Sequence, residues 1–279
     1  MGGSLGLALK QRGLAARVEG YVRRAASVAE CERYRVVDHA TQDLASAVEG
    51  ADLLVLCTPI AQMRPLTEQL LTAVKPGAII TDVGSVKECV VRELEPLAKT
   101  AGALFVGSHP MAGTEKMGVA AARLGLFDNA VCVVTPSPHS NGKALQTVVE
   151  LWTRVGMRVI QLSPEKHDEL VSRSSHLPHI VAAELANYVL SPVHCPEQGL
   201  LCATGFRDTT RIASGSPEMW RDIALANRRH LVRILGVFIE DLEEFRLALE
   251  HGDEKQVAEF FEKAKQRRDA WSGSANSPE

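Results

Sequence analysis

The sequence predicts an open α/β domain with a parallel sheet, followed by a half built of helices alone. Three observations carry this. Short continuous apolar runs of buried-strand type, at 53–57, 78–83 and 104–106, alternate with stretches of helical period as far as Leu162. Polar residues gather where those runs end, at Thr58-Pro59, at Asp82-Val83-Gly84-Ser85-Val86-Lys87 and at Ser108-His109. That edge is where open α/β sheets bind ligands. Beyond Ser163 the strand pattern stops.

The chain has 279 residues, 46% of them hydrophobic and 23% charged, enough for one large or two medium globular domains. A net charge of −3 gives no basic footprint, so nucleic acid is not an expected partner. The six cysteines (Cys31, Cys57, Cys89, Cys132, Cys195, Cys202) form no CxxC pair and read mostly as buried thiols of a reducing compartment. No apolar run reaches the ~20 residues that span a bilayer, and the N-terminus lacks the pattern of a secretory signal. A cytoplasmic protein without a membrane partner is expected.

Taken in order, residues 1–10 place small residues before Leu5, Ala8 and Leu9 at helical spacing, and a strand follows at 17–21. Gly2 fits the third glycine of the dinucleotide fingerprint G-x-G-x-x-G, with Gly2 and Ser4 at the phosphate end of the helix. The first two glycines and the first strand would then lie upstream of Met1, which reads as an internal methionine of a longer natural chain. The plainer alternative makes Gly2-Gly3-Ser4 only a helix start. Val22, Arg23 and Arg24 stand where an acid would accept a ribose 2′-OH. Two arginines there favour a 2′-phosphate, hence NADP over NAD, unless they are solvated cap charges.

A short helix at 44–48 leads to the strand at 53–57, whose end, Thr58 and Pro59, would cover a cofactor. The helix at 63–74 stops at Lys75-Pro76-Gly77. The strand at 78–83 delivers Ser85, a helix spans 88–101, and the strand at 104–106 delivers a loop holding His109. Pro110 biases His109 toward extended backbone and stiffens its support. A histidine at a strand end is a candidate general base near neutral pH. Ser85 would orient it or hold a substrate hydroxyl, and could equally cap the following helix. A strand at 129–135, a turn at 136–142, a helix at 143–155 and a strand at 158–162 complete the first domain, 1–163.

Ser163 caps and Pro164 opens the helical domain, 164–279, with helices at 164–190, 217–249 and 254–268. Within it, Ser174-Ser175-His176-Leu177-Pro178-His179 sets two histidines about a proline. A metal would need further ligands at regular spacing, so none is expected. Substrate contact beside a kinked helix fits His179, and a packed core position fits His176 as well. Gly205-Phe206-Arg207-Asp208-Thr209-Thr210-Arg211-Ile212-Ala213 is dense in anion-binding groups. An arginine fork there would suit a carboxylate, the bland alternative being an exposed charged turn.

Together, Gly2-Gly3-Ser4-Leu5, Asp82-Val83-Gly84-Ser85-Val86-Lys87, Gly107-Ser108-His109-Pro110-Met111-Ala112-Gly113, His176-Leu177-Pro178-His179 and the 205–213 stretch resemble the prephenate/arogenate dehydrogenase family of tyrosine biosynthesis. They occur in the family's order over nearly the whole chain. The resemblance implies an α/β Rossmann-like nucleotide-binding domain, here without its first strand, then an all-α domain that forms a homodimer. It implies oxidative decarboxylation of prephenate to 4-hydroxyphenylpyruvate, or of arogenate to tyrosine, with NADP or NAD as cofactor. His109 becomes the base and Ser85 its partner, with Arg211 on a substrate carboxylate, His179 supporting and Arg207 the second choice. Thr114 and Glu115 would line the side-chain end, and Trp220 would close the pocket from a second subunit. Two rival readings stand beside this one. The chain could be another Rossmann-type hydroxyacid or imine reductase, with Lys166 as the only candidate lysine, or a non-catalytic dimeric binding protein.

Overall fold

A computed structural model of the chain describes residues 1–113 and 118–275. The chain groups into two compact units, Met1–Arg228 and Arg229–Glu279. The first opens with helix α1 (Gly2–Gln11), followed by β1 (Glu19–Tyr21), α2 (Ala25–Tyr34), β2 (His39–Thr41), α3 (Leu44–Val48), β3 (Leu53–Leu56), α4 (Ile60–Leu70), β4 (Ile79–Asp82), α5 (Glu88–Thr100) and β5 (Leu104–Phe105). β1 and β2 pair in parallel, and β3, β4 and β5 form a second parallel set in that order. A doubly wound sheet carries its first strand between the second and the fourth. Among the described residues no strand joins β1 to β3, and the Rossmann-like sheet is in two parts there.

Strand periodicity explains the two-faced core. Successive side chains point to opposite faces, so Ile80 packs with Leu56, Met63 and Leu94 on the α4–α5 side. Ile79 packs with Leu5, Val106 and residues of helix α6 (Gly142–Val155) on the other. α1 must lie close to the chain near Val36: a Cβ on Gly6 would come within 2.0 Å of the Val36 carbonyl oxygen. Only glycine permits that approach.

His109 is not in a loop. After Val106 the chain enters a further strand, β6 (Gly107–Pro110), antiparallel to β7 (Val131–Thr135), which pairs in parallel with β8 (Arg158–Gln161). Pro110 lies at the end of this edge strand, where a missing N–H is tolerated. α2 and β2 carry no clear signal in the sequence, because one is polar and the other only three residues long. The cysteines also differ from expectation. Cys31 and Cys132 are buried, but Cys57 and Cys195 are exposed and the other two are half-buried.

The expected helix over 164–190 is three pieces: α7 (Pro164–Val171), a π turn (Ser172–His176) and α8 (Leu177–Val189). Pro178 sits in the first turn of α8, where it is tolerated, and the irregularity lies ahead of it. Two short helices follow, α9 (Glu197–Leu200) and α10 (Thr204–Thr210), then a 3-10 turn (Arg211–Ser214). The expected helix over 217–249 is broken at Asn227 into α11 (Pro217–Ala226) and α12 (Arg228–Glu250). In the second unit α12 turns into α13 (Glu254–Ala275), with Asp253 accepting the Gln256 N–H and Phe245 packed 4.3 Å from Phe260.

The close approach at Gly6 has a measurable consequence. Gly6→Ala drives a methyl into a main-chain oxygen, and overpacking of this kind costs about 1–3 kcal/mol, against roughly 1 kcal/mol gained in helix propensity. Urea unfolding of the variant is expected to show a lower midpoint than wild type.

Candidate active site

The site is built at the end of β4. Asp82 and Lys87 are both fully buried and form an ion pair. Two desolvated charges are tolerable only when their remaining hydrogen-bond capacity is filled. Asp82 also accepts the N–H groups of Gly84 at 2.8 Å and Ser108 at 3.2 Å, and the Lys87 ammonium donates to the Ser108 carbonyl at 2.9 Å. The Ser108 hydroxyl donates to the Asp82 carbonyl at 2.5 Å and accepts from the Trp152 indole N–H at 2.9 Å. The residue that precedes His109 is therefore fixed at backbone and side chain.

His109 is buried, and its Nδ1 lies 2.9 Å from Nε2 of His167. His167 Nδ1 in turn lies 2.7 Å from Oδ1 of Asp168. The same carboxylate accepts the Lys87 N–H at 2.7 Å and the Glu88 N–H at 2.9 Å. It thus caps α5 from α7 across 80 residues of chain, in keeping with the preference for anions at helix N-termini. Ser85 is not the cap of this helix; the capping position is Lys87, without a side-chain bond of its own.

These contacts fix the protons. A carboxylate only accepts, so His167 carries its proton on Nδ1 and leaves Nε2 as an acceptor. His109 must then donate from Nδ1, which leaves its Nε2 unprotonated. Burial, and then the charges of His167, Lys87 and His176, hold the His109 pKa well below 6.5. His167 is lowered too, chiefly by burial, although Asp168 opposes this. The pair stays neutral and presents one basic nitrogen.

A second wall comes from α8 and α11. The Trp220 ring stacks on His179 of the same chain, with centroids 3.8 Å apart, and His179 Nδ1 donates to the Ser175 carbonyl at 2.9 Å. A Cβ on Gly215 would fall 2.7 Å from the Trp220 indole nitrogen, so Gly215 makes room for the ring. His176 is buried, and its Nδ1 lies 3.0 Å from the Asn227 amide nitrogen. Ser85 is half-buried, and its main-chain carbonyl faces His176. Among the described residues, the orienting contact at His109 comes from His167 and not from Ser85. Arg207 lies on α10 and Arg211 opens the 3-10 turn packed on α8; both are exposed. Thr114 and Glu115 lie outside the described residues.

The edge that would hold a dinucleotide can be tested on its residues. The first bond within α1 is Leu5 N–H to Met1 O, so the amides of Gly2, Gly3 and Ser4 have no intrahelical acceptor, and no acid stands in that turn. A Cβ on Gly2 would meet Cys57 at 3.2 Å, which sets this helix end against the end of β3. There the Thr58 hydroxyl is buried without a partner. Pro59 opens α4, and Arg23 and Arg24 are exposed after β1. These residues fit the phosphate and ribose side of a nicotinamide dinucleotide. Ser4 differs from expectation: its buried hydroxyl accepts the Arg123 N–H at 3.1 Å and is occupied with structure.

The sequence does not single out His167, Asp168 or Asn227, and it offers Lys87 only as part of the 82–87 stretch, without a role. His167 and Asp168 lie in Pro-Glu-Lys-His-Asp-Glu, which has the composition of a solvated helix face. The one available signal was Asp82 and Lys87, opposite charges beside an apolar strand.

A family model for the prephenate dehydrogenase nucleotide-binding domain matches residues 5–161, and one for the prephenate dehydrogenase dimerization domain matches 163–263. The chain is 34% identical over 271 residues to the prephenate dehydrogenase of Bacillus subtilis, covering 96% of this chain and 73% of that one. It is similar to the crystal structure of the A. aeolicus prephenate dehydrogenase in complex with hydroxyphenyl propionate and NAD+, with a TM-score of 0.89, 30% identity, and 96% and 93% of the two chains covered. It is also similar to the arogenate dehydrogenase of Synechocystis, with a TM-score of 0.79, 31% identity, and 97% and 96% covered.

The neutral histidines make stability depend on pH. Burial pushes the His176 pKa down to about 4 from 6.5. The unfolded chain therefore binds the proton first, and the stability held above pH 6.5 is lost as the pH falls from 6.5 to about 4. At 1.36 kcal/mol per unit this is about 3 kcal/mol at most for His176. Thermal melts between pH 7 and 4 are expected to fall less steeply for His176→Asn than for wild type; equal slopes would exclude His176 as a source.

Proposed function

The chain belongs to the prephenate dehydrogenase family, and from that premise we propose that it oxidatively decarboxylates prephenate, or arogenate, with His109 as the base and NADP preferred over NAD. The observation that carries this reading is the proton order of His109, His167 and Asp168, which leaves Nε2 of His109 as a neutral, unprotonated acceptor. The substrate ring bears a hydroxyl and a hydrogen on C4 and a carboxylate on C1. A nicotinamide held at the α1 and β3 ends by Gly2, Thr58 and Pro59 would supply the acceptor for the hydride that leaves C4.

His109 Nε2 takes the proton of the C4 hydroxyl as that group turns into a carbonyl and becomes acidic. The imidazolium that forms donates from Nδ1 to His167, whose own Nδ1–H is held by Asp168, so the new charge is stabilised without a second proton leaving the pair. The C1 carboxylate departs as CO2 and leaves its bonding electrons in the ring, which becomes an aromatic phenolate; the His109 imidazolium returns the proton to that oxygen, giving the phenol and the neutral base. Arg211, with His179 beside Trp220, is the proposed holder of a substrate carboxylate, and Arg207 is the alternative. The preference for NADP rests on Arg23 and Arg24, exposed after β1 with no acid at position 22. The helical domain would form the homodimer. Lys166, which a hydroxyacid reductase would use as its base, is spent in an ion pair with Glu169 at 2.9 Å.

Two measurements test this reading. Reduced nicotinamide formation is measured with prephenate and with arogenate, each with NAD and NADP. Turnover is expected, fastest with NADP, and Arg23→Ala with Arg24→Ala should lower the NADP preference roughly tenfold or more. Silence in all four combinations would overturn the assignment. His109→Asn is expected to lower kcat about 10²- to 10⁴-fold with a smaller effect on KM. Because the His109 pKa is held below 6.5, the acid limb of the wild-type pH profile should lie below that value; an unchanged kcat in the variant would remove His109 from the mechanism.

A further inference from the structure

Helix α7 does not run on into α8. Between them residues 172–176 widen into a π turn, which inserts an extra residue and rotates all that follows by about 100° relative to a continuous α-helix. Asp168, the end of the histidine relay, lies before this turn, and His176 closes it. Such turns are intrinsically poor, so something must hold this one.

Asn227 is the group in place to do so. It is 1% exposed and lies at the end of α11. Its amide nitrogen donates to the Asp168 carbonyl at 3.0 Å and meets His176 Nδ1 at 3.0 Å. Both hydrogens of one amide are therefore used, one on each side of the wide turn. The alternative amide orientation would set an oxygen against the Asp168 carbonyl, so the nitrogen belongs there. His176 must then accept at Nδ1 and carry its proton on Nε2. The Asn227 oxygen is buried without a partner, so its oxygen gains nothing in this position. α11 also supplies Trp220, stacked on His179 in the first turn of α8. One helix thus grips the polypeptide before the turn, at its last residue and just beyond it.

We propose that Asn227 is a positioning residue that locks the π turn between Asp168 and His176 and so keeps the His109–His167–Asp168 relay in line with the opposite wall of the pocket. This rests on the reading of His109 as the base. The groups facing His176 are Asp168 and His167 from α7, His179 from α8 and the Ser85 carbonyl from the loop after β4.

The test uses the full chain, labelled with ¹⁵N at histidine, with Asn227→Ala and the isosteric Asn227→Asp. Long-range ¹H–¹⁵N spectra read the tautomer of each ring. In wild type His176 is expected as the Nε2–H form. In Asn227→Asp the new carboxylate accepts from His176, which moves to the Nδ1–H or doubly protonated form; in Asn227→Ala the single tautomer is lost. With prephenate, Asn227→Ala should lower kcat about 10- to 100-fold, as misplaced catalytic groups do, and Asn227→Asp should move the acid limb of kcat/KM to higher pH. Should the alanine variant not fold, the aspartate variant decides. A lower melting temperature with unchanged kcat, acid limb and histidine tautomers would reduce Asn227 to a packing role and overturn the proposal. If wild type turns over neither substrate, the reading of the reaction fails, and the histidine spectra still decide whether Asn227 holds the turn.

Discussion

The arrangement of the site depends on one buried carboxylate. Asp168 is almost fully inside the protein, where an unpaired charge would be untenable. Three donors from two parts of the chain satisfy it: the amides of Lys87 and Glu88 at the start of α5, and the His167 imidazole beside it. Each donor gains something in return. The helix end obtains the acceptor that its own sequence does not provide, and the imidazole obtains a fixed tautomer. The start of α5 and the helical segment after β8 are joined at this point by hydrogen bonds.

Much of this fold was legible in the sequence because its signals are local. Buried parallel strands read as apolar runs, and Ser163-Pro164 marks a helix start that the structure reproduces, with the Ser163 hydroxyl accepting the Lys166 N–H at 3.2 Å. The failures share a cause. Whether helix 164–190 stays regular depends on what Asn227 touches, and whether 107–110 is loop or strand depends on β7, more than twenty residues later. Neither fact is written in the segment itself. His109 could be chosen from its proline and its place at a strand end. His167 and Asp168 could not, because the same residues on an exposed helix would be ordinary solvated polar groups.

The buried Lys87–Asp82 pair has a different place in the design. It touches neither relay nitrogen, yet through the Ser108 carbonyl and N–H it sets the residue next to His109. Its ammonium also contributes to keeping that imidazole neutral. Position and charge are thus supplied by one side chain. An apolar substitute could fill the volume, but it would satisfy neither the Ser108 carbonyl nor the Asp82 carboxylate.

The relay has a closed end. Among the described residues, the partners beyond Asp168 are backbone amides, which hold hydrogen bonds but do not take up or release protons near neutral pH. In the reaction proposed above, a proton accepted at Nε2 of His109 therefore has no exit through the interior and stays on the face toward the substrate. The oxyanion left on the ring when CO2 departs is on that same face and takes the proton back. The base is then restored before product leaves, and a turnover needs no exchange of protons with water.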